Sequence, residues 1–419
     1  MCQNSKEGRQ LSGKGSNSGR LRQYNERFLL QSLRHQREAS KSDLARVAHL
    51  TPAAVADIVD GLEQAGFVRQ VGKRLGKRGS PSVLYAVNPT RLYSIGIKIG
   101  RRAMVAVMLD FAGEICDRME HEYDFPDPVR VRRAGNAAIA DFRAQAGRVP
   151  GAAMAGLGIA APYFLGGWSE ELGFPADLGS RWQALDLATF FDSGEMPVFV
   201  ENDATAAAHA ELVLGSGTRF RDFMHISIDT FIGGGLVLDG KVHTGPNGNS
   251  AALGPLPVSP SGLTPAKAPS ARYTSLLHRA SICVLMDHLH AQGIGISRIR
   301  ALEPLPEVAR QPVRDWTLDC AGALVEAIIA ITSVIDLEAI IIDSILPRNL
   351  HLDLLAQVQA RFNEAGAIGI IAPELLGGGF GALAAPVGAA TLPVSALLAP
   401  DSSVLMLGER SHALAGRLS

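Results

Sequence analysis

The sequence predicts an α/β protein: an amino-terminal winged helix-turn-helix followed by a larger layered body. Three observations carry that expectation. Residues 40–87 read as two short capped helices and a hairpin with a basic tip. The basic charge is concentrated at the amino-terminal end. From about residue 91, apolar runs of strand length alternate with helical segments, the signature of layered α/β architecture.

The head is built from local signals. Ser40 or Ser42 fits the N-cap of a short helix whose apolar face is Leu44, Val47 and Ala48, and Leu50 packs the turn. Thr51 is a good N-cap, and Pro52 fits the first helical position, where the missing N–H costs nothing. Val55, Ile58, Val59 and Leu62 then recur on one helix face, and Gly66 fits the C′ position. An upstream helix with Phe28, Leu29, Leu30 and Leu33 completes a three-helix core. Phe67 to Val71 and Ser82 to Val87 read as strands. The expected DNA contacts are Ser42, Thr51, Ala53, Ala54 and Asp57 on the helices, with Lys73, Arg74, Lys77 and Arg78 on the wing. Helix pairs of this shape also occur as plain solvated surface. Here caps, turn, wing and charge all agree on double-stranded DNA.

The bulk numbers fit that division. A chain of 419 residues exceeds one ordinary domain. The net charge of -1 hides an asymmetry: residues 1–80 hold 15 Lys and Arg against 7 Asp and Glu (+8), the remainder 25 against 34 (-9). Residues 1–20 read as a disordered basic arm and lack the apolar core of a signal peptide. No apolar run free of Gly, Pro and charge is long enough for a convincing membrane span, so a cytoplasmic protein is the simplest reading. Cys2, Cys116, Cys283 and Cys320 form no close pair and read as small buried apolar residues.

In the body, strands are expected at Tyr93–Ile99, Ala103–Leu109, Met154–Ile159, Val198–Glu201, Phe223–Ile228, Gly234–Val237 and Ala339–Asp343. Helices are expected at Val129–Ala146, Ala204–Leu214, Tyr273–Gln292 and Arg314–Ile335. Gly233 to Gly235 read as a tight turn, and Gly377 to Gly379 as a loop. The domain limits are an arm over 1–20, a head over 21–88, a body over 91–400 and a tail over 401–419.

Several motifs recur in a fixed order: Gly96-Ile97-Lys98-Ile99-Gly100, Gly158-Ile159-Ala160-Ala161-Pro162, Glu201-Asn202-Asp203-Ala204, Phe231-Ile232-Gly233-Gly234-Gly235 and Val387-Gly388-Ala389-Ala390. With this order behind a winged helix, the chain resembles the ROK family of repressors and sugar kinases. That resemblance implies a two-lobed actin-like, hexokinase-like ATPase fold, with one lobe over 91–203 plus the C-terminal helix and the other over 204–385. It implies a sugar-responsive transcription factor, a repressor more often than an activator, assembled as a homodimer or homotetramer.

The chain departs from the family pattern where chemistry is done. The turn that in family kinases carries an acid and then Gly-Gly-Thr reads Lys98-Ile99-Gly100-Arg101-Arg102 here. A lysine cannot hold magnesium, so kinase activity is not expected, and Arg101 and Arg102 read as surface charge. Asp203 matches the family's general base. Asn202 and Asp203 fit two roles, contact with ligand hydroxyls or capping of the helix that follows. The sugar-binding Glu and the His of the next motif are replaced by Ala252 and Pro255, and the zinc loop cysteines are missing over 266–275. No metal or cofactor is expected, and the one small-molecule partner implied is a sugar-like effector.

Overall fold

A computed structural model describes residues 17–74, 81–165, 169, 172–263, 272–366 and 368–399. The chain divides into two compact units, Met1–Asn88 with Ser395–Ser419, and Pro89–Val394.

The first unit contains α1 (Asn17–Gln36), β1 (Ala39–Ser40), α2 (Lys41–Ala48), α3 (Pro52–Gln64), β2 (Val68–Arg74) and β3 (Ser82–Val87). Its antiparallel sheet has the order β1-β3-β2. The helix α1 begins at Asn17, inside the segment expected to be a disordered arm. Residues 1–16, the wing tip with Lys77 and Arg78, and the tail 401–419 lie outside the described residues.

Local chemistry sets each boundary. Ser40, rather than Ser42, caps α2: its hydroxyl accepts the Asp43 N–H at 3.2 Å while the Asp43 carboxylate accepts the Ser40 N–H at 3.2 Å. The buried side of α2 is Leu44 and Ala45, whereas Val47 is 44% exposed. At the helical step the mid-point of Leu44 and Ala45 lies roughly 110° from Val47, so Val47 turns outward. Thr51 caps α3 by accepting the Ala54 N–H at 3.3 Å. Gly66 takes φ +77, and the Gly66 and Phe67 N–H groups reach Glu63 O at 3.0 Å and Leu62 O at 2.9 Å. This pattern closes a helix with a left-handed glycine.

The second unit opens with β4 (Leu92–Ile99), β5 (Ala103–Asp110) and β6 (Ile115–Glu122), then α4 (Pro128–Gly147), β7 (Ala153–Ala161), α5 (Leu178–Gln183) and β8 (Val198–Asn202). It continues with α6 (Asp203–Leu214), β9 (Phe223–Ile228), β10 (Ile232–Leu238), β11 (Lys241–His243), β12 (Pro257–Val258) and β13 (Thr274–Ser275). It closes with α7 (Leu277–Ala280), α8 (Ile282–Ala291), α9 (Arg310–Thr332), β14 (Ala339–Ser344), α10 (Arg348–Ala365), β15 (Glu374–Gly377) and α11 (Ala384–Leu398).

Two five-stranded sheets organise this unit, ordered β6-β5-β4-β7-β8 and β11-β10-β9-β14-β15. In each, three antiparallel strands are followed by two parallel additions. Each sheet has its own apolar core: Ile95, Ile97, Phe142 and Ile159 in the first, and Ile226, Trp316, Ile328 and Ile342 in the second. The segment Gly381–Leu398 is apolar and long enough, by length and composition, to cross a membrane, but 61% of it is buried inside the fold.

Four expectations are corrected. Gly233 to Gly235 lie within β10 rather than in a turn; a Cβ on Gly235 would come 2.5 Å from Ala208 Cβ, so glycine lets α6 lie close on the strand. The single helix expected over Tyr273–Gln292 is broken into β13, α7 and α8. Its break is Ser281, extended at φ -107 and ψ 150, whose buried hydroxyl accepts the Ile232 N–H at 3.0 Å. Cys116 is exposed on β6 rather than buried. Finally, β6, α10 and β15 have no counterpart in the sequence reading. The edge strand β6 carries Asp117, Arg118, Glu120 and Glu122 and has no apolar alternation. By contrast α10 has a legible stripe of Leu350, Leu354, Val358 and Phe362.

Between the sheets α6 and α11 meet backbone to backbone. An added Cβ would lie 2.0 Å from Pro386 O at Gly96, 1.8 Å from Ala389 O at Gly158 and 1.7 Å from Ala206 O at Gly388. These obstacles are main-chain atoms that cannot swing away. Gly158→Ala is therefore expected to destabilise the body by about 1–3 kcal/mol, the range for overpacking a dense core. An unchanged urea midpoint would contradict the packing described.

Candidate ligand cleft and nucleic-acid interface

On the head, Thr51, Ala53 and Asp57 of the α3 segment are exposed, Ala54 is half-buried, and Ser42 is exposed at the start of α2 with its hydroxyl 2.8 Å from Ser40 Oγ. The helix α3 carries no Lys or Arg. Its Asp60 takes the Lys41 ammonium at 2.5 Å. Arg46, Arg69 and Lys73 are exposed on α2 and β2. Arg74, one of the four wing cations, is instead engaged: its guanidinium reaches Asp43 at 2.5 Å and ties the wing to the cap of α2. The Ser40 hydroxyl, helped by Arg74, pulls the Asp43 carboxyl down to about 2.

In the body, a cavity of about 210 Å³ lies between the two sheets. The end of β4 brings Lys98 and the turn after it brings Arg101. The β8–α6 junction brings Asn202 and Asp203, the β9–β10 turn brings Asp229 and Phe231, and the segment 249–255 closes another wall.

Lys98 is 9% exposed and donates to the Asp229 carboxylate. Burial works against the ammonium, but Asp229 and Asp203 outweigh it and hold its pKa above the ordinary lysine range. Burial likewise opposes the Asp229 carboxylate, yet Lys98 and the Thr230 N–H keep its pKa below the usual value. For Asp203, burial wins over the attraction of Lys98 and Arg101, and its pKa is raised.

Of the two roles left open for Asn202 and Asp203, the capping role is seen. The Asn202 side-chain oxygen accepts the Ala204 and Thr205 N–H groups at 3.0 and 3.2 Å, capping α6. Both residues line the cavity, with Asp203 at the first helical position.

Arg101 is not surface charge. It lines the cavity, stacks 4.5 Å over the Phe231 ring, and its Nε is buried without a hydrogen-bond partner among the described residues. Burial lowers its pKa. Arg102 is exposed, donating to the Leu172 carbonyl at 3.2 Å and lying 4.8 Å over Phe174. The turn carrying both is fixed by Tyr123, whose hydroxyl donates to Gly100 O at 2.7 Å.

Ala252 and Pro255 line the cleft but bring no side-chain donor, and Ala251 holds the left-handed φ of 56. Residues 264–271 of the would-be zinc loop lie outside the described residues. Among the described residues no three His, Cys, Asp or Glu side chains converge as metal ligands.

Head and body match known proteins separately. Residues 94–269 match the ROK family, and residues 24–71 match the MarR family. The chain is 27% identical over 372 residues to an uncharacterised protein of Sinorhizobium fredii, covering 88% of this chain and 90% of that one. It is 25% identical over 243 residues to the xylose repressor of Bacillus spizizenii, covering 58% of this chain and 62% of the repressor. The chain thus spans less than two thirds of that repressor's length. A solved ROK family transcriptional regulator, a homologue of the E. coli MLC protein, superposes with a TM-score of 0.61 at 21% identity, covering 92% of this chain and 98% of that one. At that identity the likeness is one of fold.

Within the body, the sequence did not single out Asp229, Tyr163 or Phe164, and it placed Phe231 only in a motif. Asp229 follows an apolar strand directly, a signal for a residue at a strand end, but its partner lies 131 positions away. Tyr163 and Phe164 stack edge to face at 4.8 Å on the cleft wall, 49% and 58% exposed.

Two outcomes are expected. Lys98→Met strands a buried carboxylate and should cost about 3 kcal/mol; adding Asp229→Asn should recover part of that loss. A double-mutant cycle by urea unfolding measures the coupling, and additive effects would dissolve the pair. On the head, the depressed Asp43 pKa stabilises the fold fully above its ordinary 3.8, and that stability drains as pH falls toward about 2. Asp43→Asn should flatten this acid dependence of the helix signal.

Proposed function

We propose that this chain is a cytoplasmic DNA-binding transcriptional regulator of the ROK type, a repressor, whose cleft takes a sugar-like effector and transfers no phosphate. The observation that carries this reading is the head. Reciprocal capping of α2, the Thr51–Pro52 start and Schellman end of α3, and the paired wing form a complete helix-turn-helix. Its helices α2 and α3 lie within the stretch that matches the MarR family. In the body, Lys98 stands where magnesium would need an acid and is neutralised by Asp229. That pairing supports binding without phosphoryl transfer.

The regulator would act as a homodimer or homotetramer, presenting two heads to two half-sites of a symmetric operator. Ligand binding in the cleft would favour one arrangement of the lobes and so change the affinity for operator DNA. A second reading, a sugar kinase with a fused head, is favoured by Asp203, which faces the cavity as a general base would. ATP consumption over a sugar panel above the no-sugar rate would establish that reading instead.

The test uses an operator selected from random duplexes. Lys73→Ala, Lys77→Ala and Arg78→Ala together leave the Arg74–Asp43 tie in place. They should weaken binding across sequences and reduce the salt slope by roughly 2–3, near one for each phosphate no longer neutralised. An unchanged slope removes the wing from the interface. Asp203→Asn should abolish effector response at unchanged operator affinity; a normal response places the effector elsewhere.

A further inference from the structure

The cleft holds two cations and two carboxylates, and they are not equally committed. Lys98 is spent on Asp229, and Asp229 on Lys98 and the Thr230 N–H. Asp203 accepts the Ala204 N–H at 3.0 Å and acts on Arg101 through space. Arg101 is different. One face of its guanidinium is covered by Phe231, its Nε–H is buried without a partner among the described residues, and it lines the cavity. A buried N–H without a partner is costly, and the planar guanidinium fork matches an oxyanion held by two parallel N–H donors.

We propose that the effector of this cleft is a monoanionic polyol, a sugar acid, whose carboxylate is received by Arg101 while its hydroxyls meet Asp203. The inference rests on the reading of the cleft as the effector site. Charge decides between the two common oxyanions. Lys98 is already neutralised by Asp229 and Asp203 acts on Arg101, so the described cavity residues offer a ligand at most one positive charge, enough for a carboxylate but short of a phosphate dianion. The exposed Tyr163 and Phe164 rings on the cavity wall offer an apolar surface to the less polar face of such a molecule.

The experiment titrates the full-length protein with D-glucuronate, D-galacturonate and D-gluconate, with the neutral sugars D-glucose and D-galactose, and with D-glucose 6-phosphate. Calorimetry and the thermal midpoint are the readouts. At least one acid should bind about tenfold or more tighter than its neutral counterpart, the ratio for one charge-assisted hydrogen bond. Arg101→Met should erase that preference while leaving the ligand-free midpoint and operator binding in place. Arg101→Lys, which keeps charge but loses the fork, should retain part of it.

Neutral sugars binding as well as the acids, or an Arg101→Met protein that keeps the preference, overturns the sugar-acid assignment and leaves the effector site standing. Tighter binding of glucose 6-phosphate than of every acid also overturns it, in favour of a dianion. Silence from the acids with a response to neutral sugars sinks this inference alone. Silence from the whole panel sinks it together with the effector reading of the cleft.

Discussion

Main chain meets main chain where α11 crosses β4, β7 and α6, and only residues without a Cβ permit it. Gly96, Gly158 and Gly388 each have a carbonyl oxygen of a neighbouring element within 2.0 Å of where a Cβ would stand. Alanines fill the rest of the seam, with Ala160, Ala206, Ala207 and Ala389 all buried. Packing this close fixes one sheet against the other. It thereby sets the end of β4 opposite the β9–β10 turn, and the cleft is a consequence of that seam.

What faces across the cleft follows from electrostatics at short range. A lone buried Lys98 would be costly, and so would a lone Asp229; brought together, each makes the other tolerable. At the surface, Arg298 and Arg300 both reach Glu122 at the end of β6. These exposed arginines contribute less, because water screens them. The buried pair links the end of β4 to the β9–β10 turn across the cleft.

In the head, the helix boundaries are set by local contacts. Ser40 and Asp43 are three residues apart, as are Thr51 and Ala54, and Gly66 closes its helix with bonds to Glu63 and Phe67 to Leu62. Across the head, Leu29, Leu33, Leu44, Val55 and Val59 are buried, β3 pairs with β1 and β2, and ion pairs join Arg74 to Asp43 and Lys41 to Asp60. The surface of α3 is acidic, and exposed basic residues lie on α2 and the wing.

This contrast explains what could be read in advance. Caps, helix faces and strand runs depend on neighbours within a turn or two, so the head, the core strands β4, β5, β9 and β14 and the helices α4 and α6 were legible from residue order. The departures at Lys98, Ala252 and Pro255 were legible too, because they change chemistry at a fixed place in a motif. Edge strand β6 was not, since a solvated edge needs no apolar alternation, and the break at Ser281 depends on an N–H offered by Ile232 from another element. The sequence by itself determined a winged helix-turn-helix head on a two-lobed α/β body, with Lys98 at the end of its first strand. Only the tertiary structure decided that Lys98 is neutralised by Asp229 and that Arg101 enters the cleft rather than solvent. Both facts depend on which strand ends the glycine seam brings face to face, and side-chain charge acts over ångströms in space, without regard to distance along the chain.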